Sequence, residues 1–298
     1  MSADLSLFQT IVISIVEGLT EFLPVSSTGH MIITQNLMGV NEGSPFVHAF
    51  TFIIQFGAIL SVVCLYWKKF FLVRNKEDFN ERLKFYGLLI VGVLPAVVIG
   101  LAAKKSGLLD WLLDSVEVVA VMLILGGIFM LFCDKIFNKG KEENEVTAKR
   151  AFMIGLFQCI SVIPGVSRSM ATIVGGMTQK LTRKKAAEFS FFLAVPTMAG
   201  ATLLDLLEMF DSETSWATSE HIFLLLLGCG IAFVVALFAM KWFVNFLTKY
   251  GFKAFGWYRI IVGTVIVCVL ALLLKLQQIP RKVWESPHPV FREQHVLH

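Results

Sequence analysis

The chain has 298 residues, 56% apolar and only 16% charged, with 27 Phe and a mean hydropathy of +0.73. Soluble domains carry about 25% charged and 45–50% apolar residues, so a water-soluble, disordered, collagen-like or disulfide-stapled chain is excluded. Apolar runs of roughly 20 residues recur, as in an all-α polytopic integral membrane protein rather than a β-barrel.

The charge is 26 basic against 22 acidic residues, net +4, too small an excess to argue for a nucleic-acid partner. No Lys or Arg precedes Lys68. The apolar N-terminal segment therefore lacks the basic region of a cleaved signal peptide and is expected to stay in the mature protein. The five cysteines (Cys64, Cys133, Cys159, Cys229, Cys268) lie inside apolar stretches without CxxC spacing, which predicts packed thiols rather than zinc ligands or disulfides.

In chain order, the first apolar region (5–38) is too long for one helix and is interrupted from Pro24 to Gly29. Spans are predicted at 46–67, 85–103 and 116–134. A second broken region follows at 151–178, interrupted from Pro164 to Ser169. Further spans are predicted at 186–206, 221–240 and 256–274, and residues 276–298 read as an exposed tail. Non-helical backbone at membrane depth needs protein or a wet cavity around it, so both broken regions are read as re-entrant helical hairpins.

The distribution of charge tests that reading. With both hairpins returning to their own side, loops 68–84, 135–150, 178–185 and 241–253 share one face and carry 18 Lys/Arg. Segments 1–45, 104–115, 207–220 and 275–298 share the other and carry 6. The positive-inside rule then places the basic face in the cytoplasm and both termini outside. Counting either broken region as a full span spoils this asymmetry.

The broken regions also resemble each other. Shifted by 141 residues, Glu17–Thr28 falls on Gln158–Ser169, and Gly92, Ala96 and Leu101 fall on Gly228, Ala232 and Leu237 with a shift of 136. The expected organisation is two inverted-topology repeats, 1–138 and 149–275, each a re-entrant hairpin plus three transmembrane helices. Such repeats place a site where their broken helices meet.

The candidate site residues lie in the two breaks. Glu17 and Glu21 share a helix face at i,i+4 spacing, with Glu17 roughly 18 Å along a helix counted from Leu5. Intramembrane carboxylates need a cation, a proton or water. They point to a divalent site, Mg²⁺ or Ca²⁺, an acid–base pair, or a shared proton. Metal affinity at such a site is expected to fall as protons compete for the same oxygens. Beyond Pro24, Ser26, Ser27 and Thr28 open a half-helix, as N-caps or as donors to an anion, and His30 follows within a turn. Arg168, between Ser167 and Ser169, supplies a planar donor fork suited to phosphate or to a carboxylate bridge. Carboxylates, hydroxyls, imidazole, guanidinium and two helix starts together make a set suited to phosphoryl transfer. The same architecture is also compatible with a transporter of a lipid phosphate or anion.

Glu17 to His30 and Pro164 to Ser169 closely resemble the signature motifs of the undecaprenyl-diphosphate phosphatase (bacitracin-resistance) family. Phe189–Pro196 and the stretch from Gln55 to Ala58 are similar too, so the resemblance covers about residues 5–275. Met170 stands where the family pattern often has Gly, and the tail from Gln277 has no counterpart. The resemblance implies an inner-membrane enzyme converting a C55 isoprenyl diphosphate to its monophosphate, which regenerates the lipid carrier for peptidoglycan. Its expected partners are that lipid and the bilayer, with a homodimer as an assembly to test. The site would comprise Glu17 and Glu21 on metal, Arg168 on phosphate charge, and Ser26, Thr28, Ser167, Ser169, Thr172 and Gln55 in support. The nucleophile would be Ser27 with His30 as proton partner, His30 itself, or water. The site is expected to open toward the outside.

Overall fold

The computed structural model describes residues 4–41, 43–106, 115–211 and 218–278. They fold into helices, in order α1 (Leu7–Thr20), α2 (Ser27–Leu37), α3 (Pro45–Leu65), α4 (Trp67–Phe71), α5 (Lys76–Lys105), α6 (Val116–Phe137), α7 (Ala148–Gln158), α8 (Arg168–Thr178), α9 (Arg183–Asp211), α10 (Ser219–Tyr250) and α11 (Lys253–Gln278). No strand occurs among the described residues. Six helices, α3, α5, α6, α9, α10 and α11, are long and apolar enough to cross a membrane.

Local chemistry sets the helix starts. Ser6 and Gln9 form a capping box at α1, and side chains of Asn75, Ser115, Thr147, Ser167 and Thr218 cap α5, α6, α7, α8 and α10. Each accepts from a backbone N–H that the first turn leaves unsatisfied.

The helix bounds correct the predicted spans. The predicted 221–240 is α10, which continues to Tyr250 through Lys241 and Lys249, so most of the expected loop 241–253 is helix. Likewise α5 begins at Lys76, nine residues before the predicted 85–103 span, and takes up much of the expected loop 68–84. Hydropathy marks only the segment that needs an apolar solvent, whereas backbone hydrogen bonding carries a helix on into the polar interface. The thiols need a second correction. All five are free, but Cys64 and Cys268 face outward rather than into packed protein. The tail beyond Gln278 and the connections 107–114 and 212–217 lie outside the described residues.

Helix α1 packs on α2 and α10, α3 on α9 and α10, α5 on α7 and α9, and α6 on α11. Lipid tails are as apolar as Leu, so helices in a bilayer associate by close approach at small residues. The α6–α11 crossing shows this. A Cβ at Gly127 would lie 2.7 Å from the Gly256 carbonyl, and one at Gly256 would lie 2.9 Å from the Gly127 carbonyl. Outward faces carry exposed Leu94, Val98, Leu125, Phe132, Leu226, Phe238, Ile261 and Val265. An apolar exterior of that extent marks a lipid-facing surface. The protein is a multi-pass membrane protein.

Candidate active site

The two interruptions lie between α1 and α2 and between α7 and α8. In the first, Glu21 caps the end of α1 and the chain turns through residues 21–25 before Ser26. Ser26 holds φ 72 and ψ 91, a left-handed backbone that is uncommon and strained for a residue with a Cβ. In the second, a 3₁₀ turn (Cys159–Val162) leads through Pro164 and Gly165, whose φ of 85 glycine adopts without steric cost. Ser167 then caps α8 by accepting from the Met170 N–H.

The breaks touch. Ser169 Oγ donates to the Leu23 carbonyl at 2.8 Å, and Ser167 Oγ lies 2.9 Å from Ser169 Oγ. Arg168 Nη2 donates to Glu21 Oε1 at 2.7 Å, and the other carboxylate oxygen accepts from Ser27 Oγ at 2.5 Å. Glu21 therefore holds the guanidinium of one break and the hydroxyl of the other. Arg168 Nη1 also donates to the Ser190 carbonyl at 3.2 Å, and its guanidinium lies over the Phe22 ring, 6.0 Å from the centroid.

Two buried groups in this cluster carry unsatisfied polar atoms. Both carboxyl oxygens of Glu17 are buried and face no donor group, although they lie against the Glu21 carboxyl, and Arg168 Nε is buried without an acceptor. Glu17 itself is fully buried, one helical turn before Glu21. Buried polar atoms are nearly always satisfied, so an ion, a ligand or a proton shared between Glu17 and Glu21 would complete the cluster.

The other candidates divide. His30 is not hydrogen-bonded to Ser27. Its Nδ1 lies 2.8 Å from the Ser26 carbonyl and its Nε2 2.8 Å from the Tyr258 hydroxyl. A carbonyl only accepts, so Nδ1 carries the proton, and when the ring is neutral Nε2 accepts from Tyr258. Thr172 Oγ1 is committed within the protein, 2.6 Å from Ser190 Oγ and 2.9 Å from the Arg168 carbonyl. Thr28 sits half-buried in the first turn of α2. Among the described residues, no hydrogen bond links Gln55, on α3, to the cluster. Two cavities of about 530 and 690 Å³ open at Tyr66, Lys69, Glu81 and Phe85, and their linings include none of the candidates.

The structure adds residues that the sequence reading did not single out. Ser190 and Tyr258 are partners of Arg168 and His30. Arg259 is completely buried and donates to carbonyls of both breaks. It is the lone Asp, Glu, Lys or Arg inside the predicted 256–274 span, and that is the signal that could have drawn attention to it.

A membrane-embedded bundle with a carboxylate, hydroxyl and guanidinium held together at two helix breaks defines a class of intramembrane site suited to an anionic headgroup. Residues 10–265 match the family described as bacitracin resistance protein BacA. The chain belongs to that family. It is 54% identical over 276 residues to a Porphyromonas gingivalis protein named undecaprenyl-diphosphatase, covering 89% of this chain and 97% of the relative. Proteins of the same name from Flavobacterium psychrophilum and Bdellovibrio bacteriovorus are 52% and 48% identical, over 88% and 89% of this chain and 95% and 97% of theirs.

Proposed function

We propose that the chain is a membrane undecaprenyl-diphosphatase, hydrolysing undecaprenyl diphosphate to the monophosphate and phosphate. The observation that carries this reading is Glu21 bound at once to Ser27 and Arg168, beside the buried carboxyl of Glu17. Relatives that share the name across nearly their whole length favour hydrolysis over transport by the same fold.

In the proposed reaction the Ser27 oxygen attacks the terminal phosphorus, and its proton passes to Glu21, which already accepts that hydrogen bond. The bond from phosphorus to the bridging oxygen breaks, the lipid monophosphate leaves, and water then releases phosphate from the serine. Arg168 bears on the phosphoryl oxygens, with Nε as an uncommitted donor; positioned charge of this kind is the main resource in phosphoryl transfer. Ser26, Thr28, Ser167 and Ser169 shape the helix starts around it. His30 lies three residues from Ser27 along α2, and taking the proton of the second step requires its Nε2 to exchange Tyr258 for the attacking water. Direct attack by His30 finds less support, because both ring nitrogens are engaged elsewhere.

A divalent cation, Mg²⁺ or Ca²⁺, fits the open oxygens of Glu17 with Glu21 alongside. When bound it would neutralise charge on the diphosphate. No group of three acidic, His or Cys ligands occurs among the described residues, so water and substrate oxygens would complete its shell, as Mg²⁺ commonly requires.

The inverted-repeat organisation is supported by paired contacts. Exchanging α1, α2, α3, α5 and α6 for α7, α8, α9, α10 and α11 turns the α1–α10 and α3–α10 contacts into α7–α5 and α9–α5, which also occur. A Cβ at Gly228 would lie 2.9 Å from Ser14 Oγ, while Gly155 approaches the Gly92 carbonyl. These two pairs are equivalent under the shifts of 141 and 136. The excess of Lys and Arg on one face supports cytoplasmic loops there, both termini outside, and a site opening outward from the inner membrane. A homodimer is a further part of the proposal.

The test is release of phosphate from C55 isoprenyl diphosphate by purified protein in detergent, where no two sides exist. Wild-type release that Arg168→Ala abolishes is the expected result. Release equally fast in Arg168→Ala removes the site assignment, and none from wild type removes the function.

A further inference from the structure

Arg259 occupies an unusual position. Its side chain is 0% exposed on a lipid-spanning helix, and its hydrogen-bond partners among the described residues are all backbone carbonyls. Nη1 donates to Pro24 at 3.1 Å, Nη2 to Gly165 at 2.8 Å and to Met122 at 3.0 Å, and Nε to Leu123 at 3.4 Å. A buried cation needs compensation. Here it comes from carbonyl dipoles of α6 and of the two breaks.

Pro24 and Gly165 are equivalent positions under the 141-residue shift relating the two broken regions. The two repeats thus present the same carbonyl to one guanidinium. Carbonyl oxygens aimed at a common point repel unless a donor lies between them, and the planar fork of arginine provides several donors in fixed directions. Gly126 makes room for it, since a Cβ there would fall 2.9 Å from Arg259 Cζ. On the other flank the Leu23 carbonyl is held by Ser169. Glu21 and Ser27 lie three residues either side of Pro24, and Arg168 lies three beyond Gly165.

We infer that Arg259 is a positioning residue, a guanidinium staple joining the two helix breaks at their equivalent carbonyls so that Arg168 meets Glu21 and Ser27. It touches no proposed reacting atom. Without it, the breaks keep only the Ser169–Leu23 and Arg168–Glu21 ties, and the proposed site loses alignment rather than any of its groups. This inference rests on the proposed diphosphatase reading only for its catalytic consequence.

The experiment uses full-length Arg259→Ala and Gly126→Ala in detergent, checked by gel filtration and thermal unfolding. Two quantities are read. The first is amide hydrogen exchange of segments 21–27 and 163–169. The second is kcat and KM for C55 isoprenyl diphosphate, with and without tens of millimolar guanidinium against NaCl at equal ionic strength. In Arg259→Ala we expect exchange to rise at least tenfold in both segments together. We expect kcat to fall about 100-fold, as for a displacement on the order of 1 Å, with KM within about threefold. Guanidinium, filling the vacated space, should restore kcat at least tenfold, a recovery that a generally loosened fold would not show. Faster exchange in one segment alone or in neither, kcat within threefold of wild type, or no rescue of a folded variant overturns the proposal. Should Arg259→Ala not fold, Gly126→Ala decides by the same exchange and kcat criteria, since it crowds the guanidinium without removing it. Wild type that releases no phosphate overturns the diphosphatase reading instead, and the exchange data still decide the staple.

Discussion

Arg168 and Glu21 stand 147 positions apart in sequence, yet Arg168 Nη2 and Glu21 Oε1 lie 2.7 Å apart, with side chains 14% and 5% exposed. Each comes from a different helix break, so the pair records that the breaks converge. Removing one member of so buried a pair strands the other, at a cost of about 3–5 kcal/mol. Arg168→Ala and Glu21→Gln should therefore both lower thermal stability and reduce kcat by about 10²–10³-fold. Unfolding midpoints and phosphate release measured on the same preparations check this. A variant with wild-type kcat would reduce the pair to a tie between hairpins.

Ser27 donates to Glu21 at 2.5 Å, which makes it the proposed attacking group. Ser27→Ala should lose activity by about 10³-fold or more while Ser26→Ala loses far less. Acid quench of wild type during turnover, followed by peptide mapping, should find phosphate on the peptide containing Ser27. Turnover without such a peptide, together with an active Ser27→Ala, would transfer the attack to water.

The hydrogen bond of Tyr258 to His30 Nε2, at 2.8 Å, predicts coupling between α11 and α2. Tyr258→Phe should lower kcat by less than about tenfold and His30→Ala by more. The double variant should resemble His30→Ala, because groups acting through one contact are not additive. Fully additive losses in this cycle would show that Tyr258 acts elsewhere.

For the proposed cation, phosphate release titrated with Mg²⁺ or Ca²⁺ is the measurement. Chelation should stop turnover reversibly, and Glu17→Gln should raise the metal concentration needed for half activity by about tenfold or more. Unchanged metal dependence in that variant removes the metal assignment and leaves Glu17 and Glu21 as an acid–base or structural pair.

Orientation is testable at Asn41, between α2 and α3. In a variant lacking the native thiols, Asn41→Cys should react with a membrane-impermeant reagent in intact cells. Reaction only after permeabilisation would invert the topology.

Much of the architecture was legible from sequence because lipid imposes a simple requirement of length and apolarity on each span. The breaks were legible because Pro24–Gly29 and Pro164–Ser169 gather Pro, Gly and Ser within apolar regions, whereas a single proline, as at Pro95 in α5 and Pro196 in α9, leaves a spanning helix intact. Glu17, Glu21 and Arg168 stood out as ionisable groups in apolar surroundings. The pairing was not legible in detail. Ser27 and His30 share a helix face, and only three-dimensional packing turns one toward Glu21 and the other toward Tyr258. Arg259 follows Trp257 and Tyr258 near the start of a span, where a basic side chain ordinarily reaches for the interface. That it folds inward depends on the space left at Gly126, which no local pattern announces.

Helix α10 has 32 residues and α5 has 30, about 48 and 45 Å long at 1.5 Å per residue, against roughly 30 Å of hydrocarbon. The 21 residues of α3 come close to matching that thickness, so the two longer helices must lean or stand out into the headgroups. They are also the helices packed against α1 and α7, which lead into the two breaks. A change in the lean of α5 or α10 would therefore be felt first at α1 and α7, the helices that carry Glu17 and lead toward Glu21 and Arg168.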